Sequence, residues 1–420
     1  MLSASTDRRP ASAGLRLGRV EFRDLAVLGA FALVLRAAWA LVYGRVEGGA
    51  GDAPFFAQVA VSVAHGDGFA LPGGAATAQA PPGFPALLAL LYKAFGVHVK
   101  MGLALNVALG AATAMLLYLL GGAALGRAGG IVAGALYAIL PSAIFFTGAL
   151  YSETTLLFLV AGFLALAVFL PDRVWTPVLL GVVAGLATLV KGDGALLAVV
   201  PAAIWWGSRP RRVWLRQVAL VLLALALTVL PWTIRNAVAI DTFAPVATND
   251  AAALWSGHNA NANGSSVAVP GRPPGELRRE ALSWAVRHPH KELGLIPRRI
   301  LALGGGASAL IRYAYNDEAE QQLGTSSALV FSVLADAGDY LVMFLFLAAL
   351  VLLGARTLWR ANPVIRGALA YIGASILVYG IFYYGQFRYR MPMLPLLVLV
   401  ATALVVTAWQ QRATLREESA

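Results

Sequence analysis

Acidic side chains stand at the edges of long apolar runs in this sequence, and carboxylates in such places suit proton transfer. Asp52 lies in the run GDAPFF at 51–56. It can cap the helical turn that follows, as aspartate commonly does, or it can act as a general base that accepts the proton of an attacking hydroxyl. Glu153 opens another apolar run, where a helix dipole favours a carboxylate. Glu153 can therefore either stabilise the N-terminus of a helix or take part in catalysis.

Four basic residues are candidates for binding an anion. Lys191 interrupts an apolar stretch, and a cation there needs an anionic partner, either Asp193 or a substrate phosphate. Arg388 and Arg390 begin the last apolar run, where they can snorkel to lipid headgroups or bind phosphate through the guanidinium fork. Arg235 permits the same two interpretations.

The composition indicates that a membrane protein positions these side chains. Of the 420 residues, 59% are hydrophobic and 13% are charged, and the mean hydropathy is +0.72, whereas a soluble domain has about a quarter of its residues charged. Apolar runs near the roughly 20 residues needed to cross a bilayer recur along the chain, and a backbone in lipid satisfies its polar groups by forming helix. We expect an all-α, polytopic membrane protein. The absence of Cys excludes disulfides, thiolate metal sites and cysteine nucleophiles.

The apolar runs predict about ten transmembrane helices in a single domain, residues 24–410, between an N-terminal segment, 1–23, and a tail, 411–420. Interfacial helices are expected in a first loop, 44–100, and in a large loop, 233–327. The run 293–309 is ambiguous and is placed in the interface. The expected spans are 24–43, 101–121, 129–147, 154–170, two short helices within 175–207, 213–230, 328–353, 364–384 and 391–409.

The net charge of +11 is a topology signal rather than evidence of nucleic-acid binding, because the cations lie in short clusters between the apolar runs. Cytoplasmic loops are enriched in Lys and Arg. This rule predicts that both termini are cytoplasmic and that the two long loops are outside. Glu153, Lys191 and Arg388 then share the outer face with Asp52.

Several short motifs, taken in order, resemble the integral-membrane glycosyltransferases of the C-type fold. The nearest group is family 39, which contains protein O-mannosyltransferases and the aminoarabinose transferase of lipid A. The resemblance covers nearly the whole chain, and its evidence is the order and spacing of the pieces. These are Asp52 after the first span, GDGF at 66–69, PPGFP at 81–85, YSET at 151–154, GLATLVK at 185–191, PWTIRN at 231–236, the region 249–264, HP at 288–289 and RYRMP at 388–392.

The resemblance implies an inverting transfer of a sugar from a polyprenyl-phosphate donor to the hydroxyl of a lipid, glycan or protein acceptor. It implies a site on the outer face of a bacterial plasma membrane, in contact with membrane lipids. An extra C-terminal domain of larger relatives is expected to be absent, and Ala53 stands where many members have a second acidic residue. The implied roles are catalysis for Asp52 and Glu153, donor-phosphate binding for Lys191, Arg235, Arg388 and Arg390, and acceptor or sugar binding for Asn249, His258 and Asn259.

Alternatives remain open for both the cofactor and the function. No cofactor is required by the pattern, but Asp52, Glu153 and His258 offer ligands for a divalent metal, without a tight ligand spacing. The rival functions are a lipid-linked oligosaccharide polymerase or ligase, a transporter or flippase of lipid-linked glycans, and a non-catalytic scaffold. Transporters place ionisable groups near the bilayer midplane and show internal repeats, whereas here the expected charges gather at one face.

Overall fold

The computed structural model describes residues 21–44, 52–98, 100–308, 311 and 325–418. Within these ranges the chain is helical, and its β structure is one isolated bridge between Ala70 and Ala76. Most of the predicted N-terminal segment 1–23 lies outside the described residues, as do 45–51 of the first loop, 309–310 and 312–324 of the large loop, and the last two residues of the tail.

The described residues contain six helices long and apolar enough to cross a membrane, judged by length and composition. The expectation of an all-α polytopic membrane protein is therefore confirmed. The six are Phe22–Tyr43, Lys100–Ile139, Arg211–Ala239, Leu329–Ala361, Pro363–Phe382 and Phe387–Glu417.

The number of long spans is lower than the predicted ten because several expected spans are short or joined. Two of them are the halves of the segment Lys100–Ile139, whose backbone is non-helical at Gly126, where φ is 76°. The halves fold back on each other, since a Cβ atom on Gly134 would lie 3.0 Å from the carbonyl oxygen of Ala114. Three others form the shorter apolar helices Glu153–Phe169, Thr176–Val190 and Gly192–Trp205. The first two have 17 and 15 residues, below the roughly 20 that cross the hydrocarbon core.

The helices are numbered along the chain, and short 3-10 or π-helical segments between them are left unnumbered. They are α1 (Phe22–Tyr43), α2 (Asp52–His65), α3 (Gly83–Phe95), α4 (Lys100–Ile139), α5 (Pro141–Phe145), α6 (Glu153–Phe169), α7 (Thr176–Val190), α8 (Val199–Trp205), α9 (Arg211–Ala239), α10 (Asn249–Gly257), α11 (Pro274–Arg287), α12 (Pro289–Leu303), α13 (Thr325–Ala349), α14 (Ala355–Ala361), α15 (Pro363–Phe382), α16 (Phe387–Arg390) and α17 (Leu394–Glu418).

Two helices form the centre of the core. α6 is buried along almost its whole length, and the first half of α17 is buried on all sides, with Val398 and Val400 inaccessible to solvent. A helix that is apolar all round belongs in such an interior. Glu153 is the first residue of α6, and Arg388 lies in α16, the short helix just before α17. The rigid core therefore fixes the positions of both side chains.

Small residues allow α7 to pack closely against α9. A Cβ atom on Gly181 would lie 2.4 Å from the carbonyl oxygen of Val221, and one on Gly185 would lie 2.5 Å from the Cβ of Thr228. Helices in membranes commonly approach through small residues of this kind. The packing holds the end of α7, and therefore the Lys191 backbone, against the core.

Candidate active site

A cavity of about 620 Å³ opens where the first loop, the large loop and the ends of several core helices meet. Its lining combines charged, aromatic and small apolar side chains, as expected of a site that takes a small molecule. The first loop contributes Asp52 and Phe56, the turn after α7 contributes Lys191 and Asp193, and the start of the last helical region contributes Arg388.

Asp52, Glu153, Lys191 and Arg388 form one ion-pair network at this cavity. The Lys191 Nζ atom lies 2.9 Å from Glu153 Oε1, and Arg388 Nε donates to the same oxygen. Arg388 Nη2 lies 2.6 Å from Asp52 Oδ2. The structure therefore brings together four residues that are spread over much of the sequence, from Asp52 to Arg388.

The four side chains differ in exposure. Glu153 is wholly buried, whereas the Asp52 side chain is 36% exposed, Arg388 20% and Lys191 15%. The second carboxylate oxygen of Glu153, Oε2, is buried and makes no hydrogen bond within the described part of the chain. Within the network, Glu153 thus lies in the protein interior and contacts both cations, while Asp52 lines the cavity.

Local backbone structure explains how Lys191 reaches this place. α7 ends at Val190, Lys191 adopts an extended conformation with φ of −160°, and a 3-10 segment, Gly192–Ala198, follows. The predicted break within 175–207 is therefore present. Lys191 pairs with Glu153 rather than with Asp193. The Asp193 carboxylate instead accepts a hydrogen bond from the hydroxyl of Tyr379.

Tyrosines form one wall of the cavity, and sequence reasoning assigned them no role. Tyr379 and Tyr389 stack with ring centroids 4.6 Å apart, and the Tyr389 hydroxyl donates to that of Tyr384 at 3.0 Å. Lys191 Nζ lies 5.9 Å from the Tyr389 centroid. The available signal was the density of tyrosine in the run FYYGQFRYR at 382–390, which surrounds Arg388.

α10 contributes a second polar region to the lining. Asn249, predicted as a binding residue, lines the cavity, and so does its neighbour Asp250, which the sequence did not single out. Asp250 Oδ1 lies 3.2 Å from Arg278 Nη2. Burial raises the pKa of Asp250 above its usual value, although the charge of Arg278 opposes the shift.

Two of the predicted phosphate-binding arginines do not line this cavity. Arg235 donates to the carbonyl oxygens of Thr77, at 2.7 Å, and Phe69, at 2.8 Å, and so ties the first loop to α9. Arg390 Nη2 lies 2.9 Å from Asp339 Oδ2. A buried guanidinium requires acceptors, and here the protein itself supplies them. The geometry favours structural roles for both arginines over the predicted contact with phosphate.

His258 and Asn259 also do not line the cavity. His258 Nδ1 lies 2.8 Å from Glu292 Oε1, and its Nε2 lies 3.0 Å from the carbonyl oxygen of Phe382. Asn259 donates to the carbonyl oxygens of Trp255 and Ser256. Buried polar groups are normally satisfied in this way. Of the predicted acceptor or sugar residues, only Asn249 lies in the cavity wall.

The described residues include no group of three or more His, Asp or Glu side chains arranged to hold a metal ion. His258, one of the three metal ligands considered from the sequence, is engaged by Glu292. Asp52 and Glu153 are engaged by cations. The ion-pair network at the cavity thus consists of two carboxylates, Asp52 and Glu153, and two cations, Lys191 and Arg388.

Comparisons with known proteins give the fold. Residues 79–234 match the sequence profile of the dolichyl-phosphate-mannose-protein mannosyltransferase family. A comparison with curated proteins found no significant match. Among solved structures, ArnT from Cupriavidus metallidurans bound to undecaprenyl phosphate is similar, with 15% identity, a TM-score of 0.55, and coverage of 92% of this chain and 60% of that one. The chain has the C-type glycosyltransferase fold.

A second C-type structure supports the same assignment. The oligosaccharyltransferase from Archaeoglobus fulgidus in its apo form is 15% identical, with a TM-score of 0.56, and covers 94% of this chain. The archaeal oligosaccharyltransferase AglB from the same organism, in complex with an inhibitory peptide and a dolichol-phosphate, gives a TM-score of 0.52 at 14% identity, and the match covers 95% of this chain. The predicted resemblance to C-type, family 39-like proteins is confirmed. This C-type chain spans about 60% of the ArnT chain and about half of the archaeal chains.

Proposed function

We propose that this protein transfers a sugar from a polyprenyl-phosphate donor to an acceptor hydroxyl, with inversion at the anomeric carbon. The observation that carries the proposal is the pair of cations, Lys191 and Arg388, beside the exposed carboxylate of Asp52 in one cavity. The lipids named for the similar structures, undecaprenyl phosphate and dolichol-phosphate, support a donor of the lipid-phosphate class.

The donor phosphate binds at Lys191 and Arg388 in this proposal. A phosphate oxygen can take the place of the Asp52 carboxylate at Arg388, because the guanidinium fork binds both carboxylates and phosphates. Glu153 is buried and bound to both cations, so it keeps them aimed at the cavity while the phosphate enters. Donor binding thereby draws Arg388 away from Asp52 and leaves that carboxylate free to face the acceptor.

Transfer is then a single displacement. A bond forms between the acceptor oxygen and the anomeric carbon, the bond between that carbon and the phosphate oxygen breaks, and the acceptor proton moves to Asp52. The leaving polyprenyl phosphate gains one negative charge as Asp52 loses one, so the net charge of the site is unchanged. Fixed cations stabilise such a shift of charge towards the phosphate more than they stabilise the ground state.

The remaining lining suits the sugar and the acceptor. The stacked rings of Tyr379 and Tyr389 present flat apolar surface next to the cations, and Asn249 and Asp250 supply hydrogen-bonding groups from the large loop. These groups are compatible with a polyhydroxylated ligand. The acceptor class stays open among lipid, glycan and protein.

The direct test is a transfer assay with purified protein, a panel of radiolabelled polyprenyl-phosphate monosaccharides and a cell-envelope extract that contains lipids, glycans and proteins as the acceptor source. The expected result is release of polyprenyl phosphate and label in a new product. Transport of the intact donor between leaflets, without cleavage of the sugar-phosphate bond, would instead support the flippase alternative. Cleavage only of lipid-linked oligosaccharides would support the polymerase or ligase alternative.

Lys191→Met is expected to weaken binding of a polyprenyl phosphate by about tenfold or more, because a cation that contacts the phosphate is lost. The measurement is the dissociation constant for undecaprenyl phosphate in detergent micelles. Lys191→Arg, which keeps the charge, should recover part of the affinity, and Lys291→Met, an exposed lysine in α12, is the matched control. Unchanged affinity in Lys191→Met would mean that Lys191 serves only to neutralise Glu153.

The proposed location follows from the positive-inside rule. Both termini are cytoplasmic, and the cavity opens on the outer face of the plasma membrane. A phosphatase reporter fused after Asn263, in the loop between α10 and α11, should be active, and one fused after Arg211, at the start of α9, should be inactive. The reverse pattern would place the cavity on the cytoplasmic side and contradict the outer location.

A further inference from the structure

Arg390, only two residues after Arg388, has partners in the protein interior for both terminal nitrogens of its guanidinium. Its guanidinium contacts the Asp339 carboxylate at 2.9 Å, and its Nη1 atom donates to the carbonyl oxygens of Leu303, at 3.1 Å, and Gly305, at 3.2 Å. Its side chain is 5% exposed. One side chain therefore connects the short helix α16 to α13 and to the C-terminal end of α12.

Asp339 is a charged residue inside an apolar helix, where a carboxylate is costly without a partner. Its side chain is wholly buried. One oxygen contacts Arg390, and the other accepts a hydrogen bond from the Ser142 hydroxyl at 2.6 Å. Both carboxylate oxygens are thus engaged, and the pair Asp339–Arg390 has a fixed geometry.

α16 presents its two arginines to different surroundings. Arg388 contacts Asp52 and Glu153 at the cavity, whereas Arg390 contacts Asp339 behind it. With only four residues, Phe387–Arg390, this helix has too few hydrogen bonds of its own to hold a side chain in place. The position of Arg388 must therefore be set by what the rest of the turn contacts.

A second contact holds the chain just before α16. The Arg299 Nη1 atom donates to the carbonyl oxygen of Ile381 at 3.0 Å, and Gly385 donates its N–H to the carbonyl oxygen of Gly264 at 2.8 Å. A Cβ atom on Gly385 would lie 1.9 Å from the carbonyl oxygen of Arg299. α12 and the large loop therefore hold the start of the segment, and Asp339 holds its end.

We infer that Asp339 is a positioning residue, which acts through Arg390 to place Arg388 at the phosphate-binding end of the cavity. The inference rests on the proposed function for the identity of the ligand. It also gives Arg390 a different role from the phosphate contact expected from its sequence position. In the proposed reaction, α13 supports the site through Asp339, although none of its described residues lines the cavity.

The test compares Asp339→Asn with Asp24→Asn, the same change in a different ion pair, where Asp24 Oδ2 lies 2.7 Å from Arg127 Nε, in α1 rather than beside α16. Two quantities are measured in detergent micelles: the dissociation constant for undecaprenyl phosphate and amide hydrogen exchange over 387–393. Asp339→Asn should weaken the affinity by on the order of tenfold and accelerate exchange in this segment, and Asp24→Asn should change neither. If Arg390 bound the phosphate itself, releasing it from Asp339 would leave the affinity unchanged or increase it.

Because Asp339→Asn leaves Arg390 buried without its anionic partner, a second variant removes the whole pair. Replacing a buried ion pair by apolar residues of similar volume often preserves stability, so Asp339→Leu/Arg390→Met should fold. It should show the same weaker affinity and faster local exchange at an unchanged melting temperature. Normal affinity together with normal exchange would overturn the inference. Failure of the wild-type protein to bind undecaprenyl phosphate would instead count against the proposed function.

Discussion

The Asp52→Asn variant is expected to insert, fold and bind the donor, yet to transfer sugar 10²- to 10⁴-fold more slowly than the wild type. Asparagine keeps the size and shape of the side chain but cannot accept the acceptor proton, and general-base assistance is worth about this factor, or about 3–5 kcal/mol of barrier. The loss should appear in kcat rather than in KM for the donor, because the base acts in the chemical step. The measurement is the rate of transfer with protein amounts matched.

Asp67→Asn is the control for Asp52→Asn, because it makes the same chemical change at an exposed residue of the same loop. It should transfer at the wild-type rate. A role for Asp52 limited to capping α2 makes the opposite prediction. Asparagine caps a helix about as well as aspartate, so activity within a few-fold of normal would remove Asp52 as the base.

The Arg388→Met variant is expected to lose both donor affinity and turnover, with kcat lower by about 10²- to 10³-fold. Removal of one fixed donor that faces developing negative charge costs about 3–4 kcal/mol in enzymes. Of the two cations in the network, Arg388 is the one that contacts both Asp52 and Glu153, so its loss also releases Asp52 from its resting contact. The measurements are kcat and KM for the donor. Arg388→Lys, which keeps the charge but not the guanidinium fork, should give intermediate values.

Stability must be separated from chemistry in that experiment, because Arg388→Met leaves the buried Glu153 with Lys191 as its remaining cation. The double variant Arg388→Met/Glu153→Gln removes the unbalanced charge and should restore the melting temperature. Turnover should stay low in the double variant. If turnover recovers together with the melting temperature, Arg388 serves the fold rather than the phosphate.

Some of the residues singled out from the sequence meet in the folded chain because charges in apolar surroundings are informative one by one. Asp52, Glu153, Lys191 and Arg388 each stood out as an ionic side chain next to a span, and they meet in the folded chain. The same criterion also selected Arg235, Arg390 and His258, which the structure places against protein carbonyls or carboxylates. Sequence position shows that a buried charge needs a partner, but it does not show whether the partner is protein or ligand.

The sequence by itself determined that the chain is a helical membrane protein, because apolar runs of this length leave the backbone no other way to satisfy its hydrogen bonds in lipid. It also located the break at Lys191, since charged and glycine residues interrupt the apolar run there. The choice of Glu153 rather than Asp193 as the partner of Lys191 and the separation of Arg388 from Arg390 were decided by the tertiary structure. Each depends on which distant side chains arrive at a given point, and local sequence patterns carry no information about contacts between residues far apart in the chain.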